Sequence, residues 1–134
     1  YKFTEGRRVM NFLMVGLGGA LGAVMRYAIS LIPYKGSFPV LTLFTNFAGA
    51  FMIGIFTGLA VKKGWPDSAV LFLKTGVCGG FTTFSTFSLE TYNLFQAHRP
   101  VMAILYMIAS LLICLAGVAI GMYISQRAAG SGAN

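Results

Sequence analysis

Two long stretches of this chain contain no charged side chain. Val40–Val61 and Pro100–Ser125 are free of Asp, Glu, Lys and Arg, and about 20 apolar residues are enough for a helix to cross roughly 30 Å of hydrocarbon. Asn11–Ile32 is a third such stretch with one charge, and Ser68–Gln96 is a longer one with a polar, glycine-rich centre. The pattern predicts an all-α integral membrane protein with four transmembrane helices.

Composition excludes the main soluble classes. The chain is 57% hydrophobic and 10% charged, whereas soluble domains average about 45–50% and roughly 25%. Three acids, one histidine and two cysteines are too few for a protein-built zinc or iron–sulfur site, and no nucleophile–base constellation indicates an enzyme. The basic residues are scattered, so we expect a lipid bilayer and no nucleic acid as the surroundings of this chain.

The apolar stretches divide the chain into three parts. We expect an N-terminal tail (1–10, partly non-native if the natural chain starts at Met10), a four-helix membrane domain (11–126) and a C-terminal tail (127–134).

The charges outside the apolar stretches indicate in which orientation the chain inserts into the membrane. With four spans, one side carries six basic residues against two on the other, which favours the termini inside. Without residues 1–9 the balance is three against two, and such a chain can insert both ways. The six are Lys2, Arg7, Arg8, Lys62, Lys63 and Arg127, and the two are Lys35 and Arg99.

Each predicted helix contains two glycines four residues apart. Small residues at this spacing let helix backbones approach closely in a membrane, where lipid provides no hydrophobic drive. We therefore expect close helix packing, and an oligomer because one small chain encloses little space. The pairs are Gly18 and Gly22, Gly54 and Gly58, Gly76 and Gly80, and Gly117 and Gly121.

The third apolar stretch contains the most unusual segment, Gly79–Ser88, with the sequence GGFTTFSTFS. Adjacent glycines followed by hydroxyl residues weaken a helix and can open its backbone. Irregular backbone at membrane depth survives only where protein or a water-filled cavity shields it. The segment predicts a third helix that is broken mid-membrane; a continuous helix softened by Ser and Thr is the alternative.

Three charged residues lie inside predicted spans, and one of them, Lys74, is near enough to the start of the third helix to snorkel to the interface. Arg26 either anchors the first helix at the membrane interface beside Tyr27 or concentrates anions at a vestibule. Glu90 either exchanges protons within the membrane or pairs with a Lys or Arg near the interface.

Two polar pairs are also spaced for one helix face. Thr42 and Asn46 are four residues apart in the second helix, as are Tyr106 and Ser110 in the fourth, so each pair shares a face. Hydrogen bonding between helices is the alternative to a role in transport.

Together these motifs resemble the Fluc/CrcB family of small bacterial fluoride channels. The resemblance runs from residue 11 to residue 126, and its most specific element is the GGFTTFSTFS segment. It is supported by GGALGAVMR ending at Arg26, by Thr42 with Asn46, by Tyr106 with Ser110, and by Glu90.

The resemblance implies a fluoride-selective channel, not an enzyme, that lets cytoplasmic fluoride leave passively and gives fluoride resistance. It implies a multi-pass protein of the bacterial plasma (inner) membrane that forms an antiparallel, dual-topology homodimer. It also implies a structural sodium ion at the dimer interface, held by the backbone carbonyls of Gly79 and Thr82.

The resemblance further implies a fluoride route. Phe84 and Phe87 match the family's pore phenylalanines, and Phe81 is expected to pack outward. Cys114 stands where relatives often carry a second serine. The residues that match or neighbour the route are Arg26, Thr42, Asn46, Thr83, Phe84, Ser85, Thr86, Phe87, Glu90, Tyr106 and Ser110.

Two other functions remain open from the sequence. A small proton-coupled multidrug-type transporter needs a carboxylate in the first span, and Asn11–Ile32 has none. A non-transporting membrane assembly subunit would use every polar face for packing alone.

Overall fold

The structure is a computed structural model that describes residues 2–128. Tyr1 and residues 129–134, which make up most of the predicted C-terminal tail, lie outside the described residues. The described residues form helices joined by short loops: α1 (Lys2–Ser30), α2 (Val40–Lys63), α3 (Asp67–Val70), a π-helical stretch (Leu71–Cys78), α4 (Gly79–Phe81), α5 (Phe84–Gln96) and α6 (Pro100–Ala128).

Three of these helices are long and apolar enough to cross a membrane. They cover Thr4–Ser30, Val40–Lys63 and Pro100–Ala128, and the chain is an all-α, multi-pass membrane protein. The third predicted helix is instead a succession of shorter helical pieces, which we call the interrupted segment (67–96).

The direction of α2 relative to α6 shows where the interrupted segment must run. Gly54 lies against Gly121 and Gly58 against Ser125, while Lys62 donates a hydrogen bond to the backbone of Gln126. Because the numbers rise together along both helices, α2 and α6 are parallel. The interrupted segment, which lies between them in the chain, therefore carries the chain back along the length of the bundle.

Close backbone packing at the paired glycines is confirmed. A Cβ atom built at Gly18 would overlap the carbonyl oxygen of Phe72, and one at Gly22 would overlap that of Val77. In the other half of the bundle, Gly54 and Gly121 face each other in the same way. The glycines thus join the helices in two parallel pairs: α1 with the interrupted segment, and α2 with α6.

The helix opens later than the glycine pair predicts. Gly79 has helical backbone angles (φ −64°, ψ −39°), and Thr82 (φ −76°, ψ 157°) and Thr83 (φ −148°, ψ 116°) are extended. Gly80 is instead used for close packing, because a side chain there would overlap the carbonyl oxygen of Gly19. The hydroxyl residues open the backbone, since their side chains compete for its hydrogen bonds.

The expectation that Phe81 packs outward is wrong. Its side chain is only 3% exposed, and it lies near Gly22 and Gly49. Gly49 leaves room for the Phe81 ring, and Gly22 lets α1 approach the Phe81 backbone, so the side chain is enclosed between helices.

The helix ends extend beyond the predicted spans. The predicted tail (1–10) is helical from Lys2 onward, and α6 continues to Ala128. No proline interrupts residues 2–10, and Glu5 in the first turn favours a helix N-terminus.

Replacing Gly22 with alanine tests the packing of α1. The new methyl group must push α1 away from Val77, and we expect a loss of about 1–3 kcal/mol of stability, typical of overpacking. Gly16→Ala is the matched control, because a Cβ at Gly16 meets nothing within 4 Å. Thermal denaturation in detergent should separate the two variants, and equal melting temperatures would contradict the packing.

Candidate functional site

The site is built around two hydrogen bonds between α2 and the break. The backbone N–H of Thr83 donates to Oδ1 of Asn46 at 2.7 Å, and Nδ2 of Asn46 donates to the carbonyl oxygen of Thr83 at 3.0 Å. One amide side chain therefore satisfies both backbone groups of an extended residue that no neighbouring helix turn can serve.

Thr83 also starts the next helix. Its hydroxyl accepts a hydrogen bond from the backbone N–H of Thr86 at 3.1 Å, which is the geometry of a helix N-cap. The same oxygen lies 3.0 Å from the hydroxyl of Thr86 and 3.3 Å from that of Ser85. α5 therefore begins at Phe84 with one of its N-terminal N–H groups, that of Thr86, capped by a side chain.

Among the described residues, the break leaves four successive carbonyl groups, from Gly79 to Thr82, without their usual helical donors. The N–H of Thr83, which would serve Gly79 in a regular helix, donates to Asn46, and the N–H of Thr86, which would serve Thr82, donates to the Thr83 side chain. Between them, the carbonyl oxygen of Gly80 accepts from Nε of Arg26 at 3.2 Å. Carbonyl oxygens diverted from helical bonding in this way are possible ligands for a cation.

A cavity of about 340 Å³ adjoins the break, and we call it the phenylalanine cavity. The rings of Phe84 and Phe87 lie 5.5 Å apart, and Phe84 is 79% exposed at the surface of the chain. The hydroxyl of Ser110 is buried, and it has no hydrogen-bond partner in the part of the chain that the structure describes. The lining residues are Asn46, Ala50, Thr82, Thr83, Phe84, Phe87, Ser110, Leu111 and Cys114.

A second cavity of about 440 Å³, the arginine cavity, shares Thr83 with the phenylalanine cavity. Arg26, Thr42 and Thr86 contribute to its wall. Because Arg26 is half-buried and bonded to Gly80, its guanidinium lies against the interrupted segment. This position differs from that of an anchor at the end of α1.

Glu90 joins three helices through hydroxyl groups. Its two carboxylate oxygens accept from Thr42 and from Tyr106, each at 2.8 Å. The ring of Tyr106 is fully buried and lies 5.1 Å from that of Phe87. Of the two alternatives for Glu90, pairing with a Lys or Arg is not what the described residues show, because both carboxylate oxygens are bonded to hydroxyls.

Two further cavities continue from Glu90 toward the loops. One of about 310 Å³ is lined by Thr42 and Glu90, and one of about 410 Å³ by Glu90, Asn93 and Arg99. Neighbouring cavities share wall residues: the phenylalanine and arginine cavities share Thr83, the arginine cavity and the next share Thr42, and the last two share Glu90.

The structure thus brings most of the predicted site residues onto one connected set of cavities. Ser85, Gly79 and Tyr106 are the exceptions, because they line none of the four cavities just described. Ser85 and Gly79 are exposed, and Tyr106 is buried and bonded to Glu90. Sequence reasoning missed Thr45, a buried residue of the arginine cavity, although it follows Thr42 by three residues. In the sequence, Cys114 stands out only as a departure from the serine that relatives often carry. In the structure it lines the phenylalanine cavity.

The fold and the site define a multi-pass α-helical membrane protein with a polar interruption inside its bundle. The chain belongs to the CrcB-like protein family (Camphor Resistance, CrcB), which it matches over residues 13–122.

Three relatives illustrate the similarity. The chain is 43% identical to a fluoride-specific ion channel FluC of Ruminiclostridium cellulolyticum over 128 residues, which is 92% of this chain and 98% of the relative. It is 44% identical to the fluoride-specific ion channel FluC 2 of Bacillus subtilis over 87% of this chain and 88% of the relative. A fluoride-specific ion channel FluC of Helicobacter pylori is 41% identical over 89% of this chain and 95% of the relative.

Proposed function

We propose that this protein is a fluoride-selective ion channel through which cytoplasmic fluoride leaves the cell passively, giving fluoride resistance. One observation of the site carries the proposal. The buried hydroxyl of Ser110 has no acceptor among the described residues, and it lines a cavity whose wall includes no carboxylate. A free donor in such a place suits a small anion, and three relatives are named as fluoride-specific channels.

Fluoride is small and tightly hydrated, so a selective path must replace water with good hydrogen-bond donors. The hydroxyl of Ser110 is a neutral donor along the phenylalanine cavity that has no partner among the described residues. The amide of Asn46 lines the same cavity and uses one of its two N–H groups for the carbonyl of Thr83. Neutral groups replace part of the hydration shell without the fixed charge that would hold the ion in place. Conduction needs binding strong enough to admit the ion and weak enough to release it.

The rings of Phe84 and Phe87 complement these donors. An aromatic ring carries partial positive charge at its edge, so a ring that turns its edge to the cavity attracts an anion. Arg26 supplies a positive charge in the neighbouring arginine cavity. The shared wall residues Thr83 and Thr42 make a route from one cavity to the next.

Passive flow is sufficient for export. Hydrogen fluoride enters a cell as a neutral acid and dissociates in the more alkaline cytoplasm. A negative-inside potential then drives the anion outward by about 2.3 kcal/mol per charge for each 100 mV. No coupled energy source is required.

A second copy of the chain is needed to shield the interrupted segment. The extended residues Thr82 and Thr83 are only half-buried, and Gly79, Ser85 and Ser88 near them are exposed. Phe84, the first residue of α5, is 79% exposed. Lipid-exposed irregular backbone is not tolerated within the hydrocarbon core. We therefore assign this face to a homodimer in which all four passes of each chain span the membrane and the break lies at its mid-depth.

The two copies would lie in opposite orientations in the bacterial plasma (inner) membrane. The nearly even distribution of basic residues, when residues 1–9 are set aside, supports insertion both ways. Two opposed copies also place the same broken segment of each chain at one interface.

We also assign a structural sodium ion to that interface. The carbonyl oxygens of Gly79 and Thr82 have lost their usual helical donors to Asn46 and Thr83, which fits them to hold a cation. Neutral carbonyls without carboxylates suit a monovalent cation better than magnesium or calcium. When bound, sodium would balance the carbonyl dipoles and hold the two breaks together.

The alternatives have less support. A proton-coupled multidrug-type transporter needs a membrane carboxylate in its first helix, and Glu5 in the first turn is the only acid of α1. A non-transporting assembly subunit predicts that hydroxyls such as Ser110 Oγ have packing partners, whereas this one has none among the described residues.

Fluoride efflux from liposomes that contain only this protein tests the proposed function. Vesicles loaded with potassium fluoride should lose fluoride once valinomycin lets potassium follow, and vesicles loaded with chloride should not. Protein-free vesicles are the control. Equal chloride flux would contradict selectivity, and absence of fluoride flux from folded dimer would favour the assembly subunit.

Isoleucine at Phe84 or Phe87 tests the ring edges. The change keeps bulk and apolarity and removes the quadrupole, so we expect fluoride flux per folded dimer to fall about tenfold or more, since ~1.4 kcal/mol of barrier corresponds to tenfold in rate. Phe12→Ile, at an 80% exposed ring of α1, is the matched control and should conduct normally. If the rings serve packing alone, the variants will melt earlier and the surviving dimer will conduct fully.

Removal of sodium tests the assigned cation. Protein prepared in sodium-free potassium buffer should conduct less fluoride or melt at a lower temperature, and added sodium should restore both. Elemental analysis of the sample is the necessary control. Full flux from protein shown to contain no sodium would rule out a required sodium ion.

A further inference from the structure

Cys114 lies inside the proposed ion route, one helical turn from an unpartnered donor. It lines the phenylalanine cavity together with Ser110, four residues earlier on the same face of α6. Ser110 is 8% exposed, and its hydroxyl has no partner within the described part of the chain. The free thiol of Cys114 is only partly buried.

The chain contains a natural comparison. Cys78, its other cysteine, is also a free thiol, but it is 1% exposed and does not line the phenylalanine cavity. The two thiols therefore differ in access to the route.

The chemistry of the cavity wall makes the thiol unusual. The other lining groups are hydroxyls, an amide, aromatic rings and aliphatic side chains, which are poor ligands for soft metals. Thiolates are the ligands that soft metals prefer. A single thiolate is enough for an ion with one open coordination position, such as methylmercury.

We propose that Cys114 is a single-thiolate binding site for soft, thiophilic metal cations, and that a cation bound there closes the route to the anion. The blocking part of this proposal rests on the proposed function. The binding part rests on the position of the thiol in the cavity.

Binding requires no oxidant or reductant. With methylmercury hydroxide, a sulfur–mercury bond forms, the S–H and mercury–oxygen bonds break, and the thiol proton leaves with hydroxide as water. The cavity holds about 340 Å³, so the bound group lies close to Ser110 and the two rings. It excludes the anion from this space or holds it too strongly to release, and either effect stops conduction.

Methylmercury on proteoliposomes tests the proposal. The unmodified sequence and Cys78→Ala should each lose at least about tenfold of their own untreated fluoride flux, a change of ~1.4 kcal/mol in barrier. Cys114→Ser and Cys114→Ala should keep theirs, each compared with its own untreated sample. Intact-protein mass should show methylmercury on chains that contain Cys114, and excess free cysteine should remove it and restore flux.

Three results would overturn the proposal: no methylmercury on Cys114, methylmercury on Cys114 with flux unchanged, or an equal block of both Cys114 variants. Failure of the proposed function gives a different result, because untreated protein would then pass no fluoride. The mass measurement would still show whether Cys114 binds the cation. If one Cys114 variant does not fold, the other supplies the comparison.

Discussion

The arrangement of the site depends on the two hydrogen bonds between Asn46 and Thr83. An unpaired buried backbone group costs about 1–3 kcal/mol, and the extended residue Thr83 would present two of them. Asn46 satisfies both groups, at 2.7 and 3.0 Å. The backbone can therefore open within the bundle without the cost of unpaired polar groups. The position of Phe84, the start of α5 and the residue shared by the phenylalanine and arginine cavities all follow from that opening.

Much of this arrangement could be predicted because its signals are local. Charge-free stretches define membrane helices, and a spacing of four residues places Thr42 with Asn46 and Tyr106 with Ser110 on shared faces. The structure confirms the close approach of the paired glycines. Hydroxyl residues after a glycine pair also marked the region of the break to within a few residues.

The remaining features depend on contacts between residues distant in the sequence. The break lies at Thr82 and Thr83 because Gly80 is packed against Gly19 of α1. Phe81 is buried because Gly49 of α2 leaves room for its ring and Gly22 lets α1 approach its backbone. The partners of Glu90 come from α2 and α6, and neither is near it in the chain. No spacing within one helix contains this information.

The distribution of donors and acceptors gives the site its chemical character. Glu90 is the acceptor that would most oppose an anion, and both of its oxygens are bonded to the hydroxyls of Thr42 and Tyr106. At the break, Thr83 is bonded to Asn46. The buried hydroxyl that stays without a partner among the described residues, that of Ser110, can donate into the phenylalanine cavity. Internal pairing therefore occupies the strongest acceptor and leaves a donor for a passing anion.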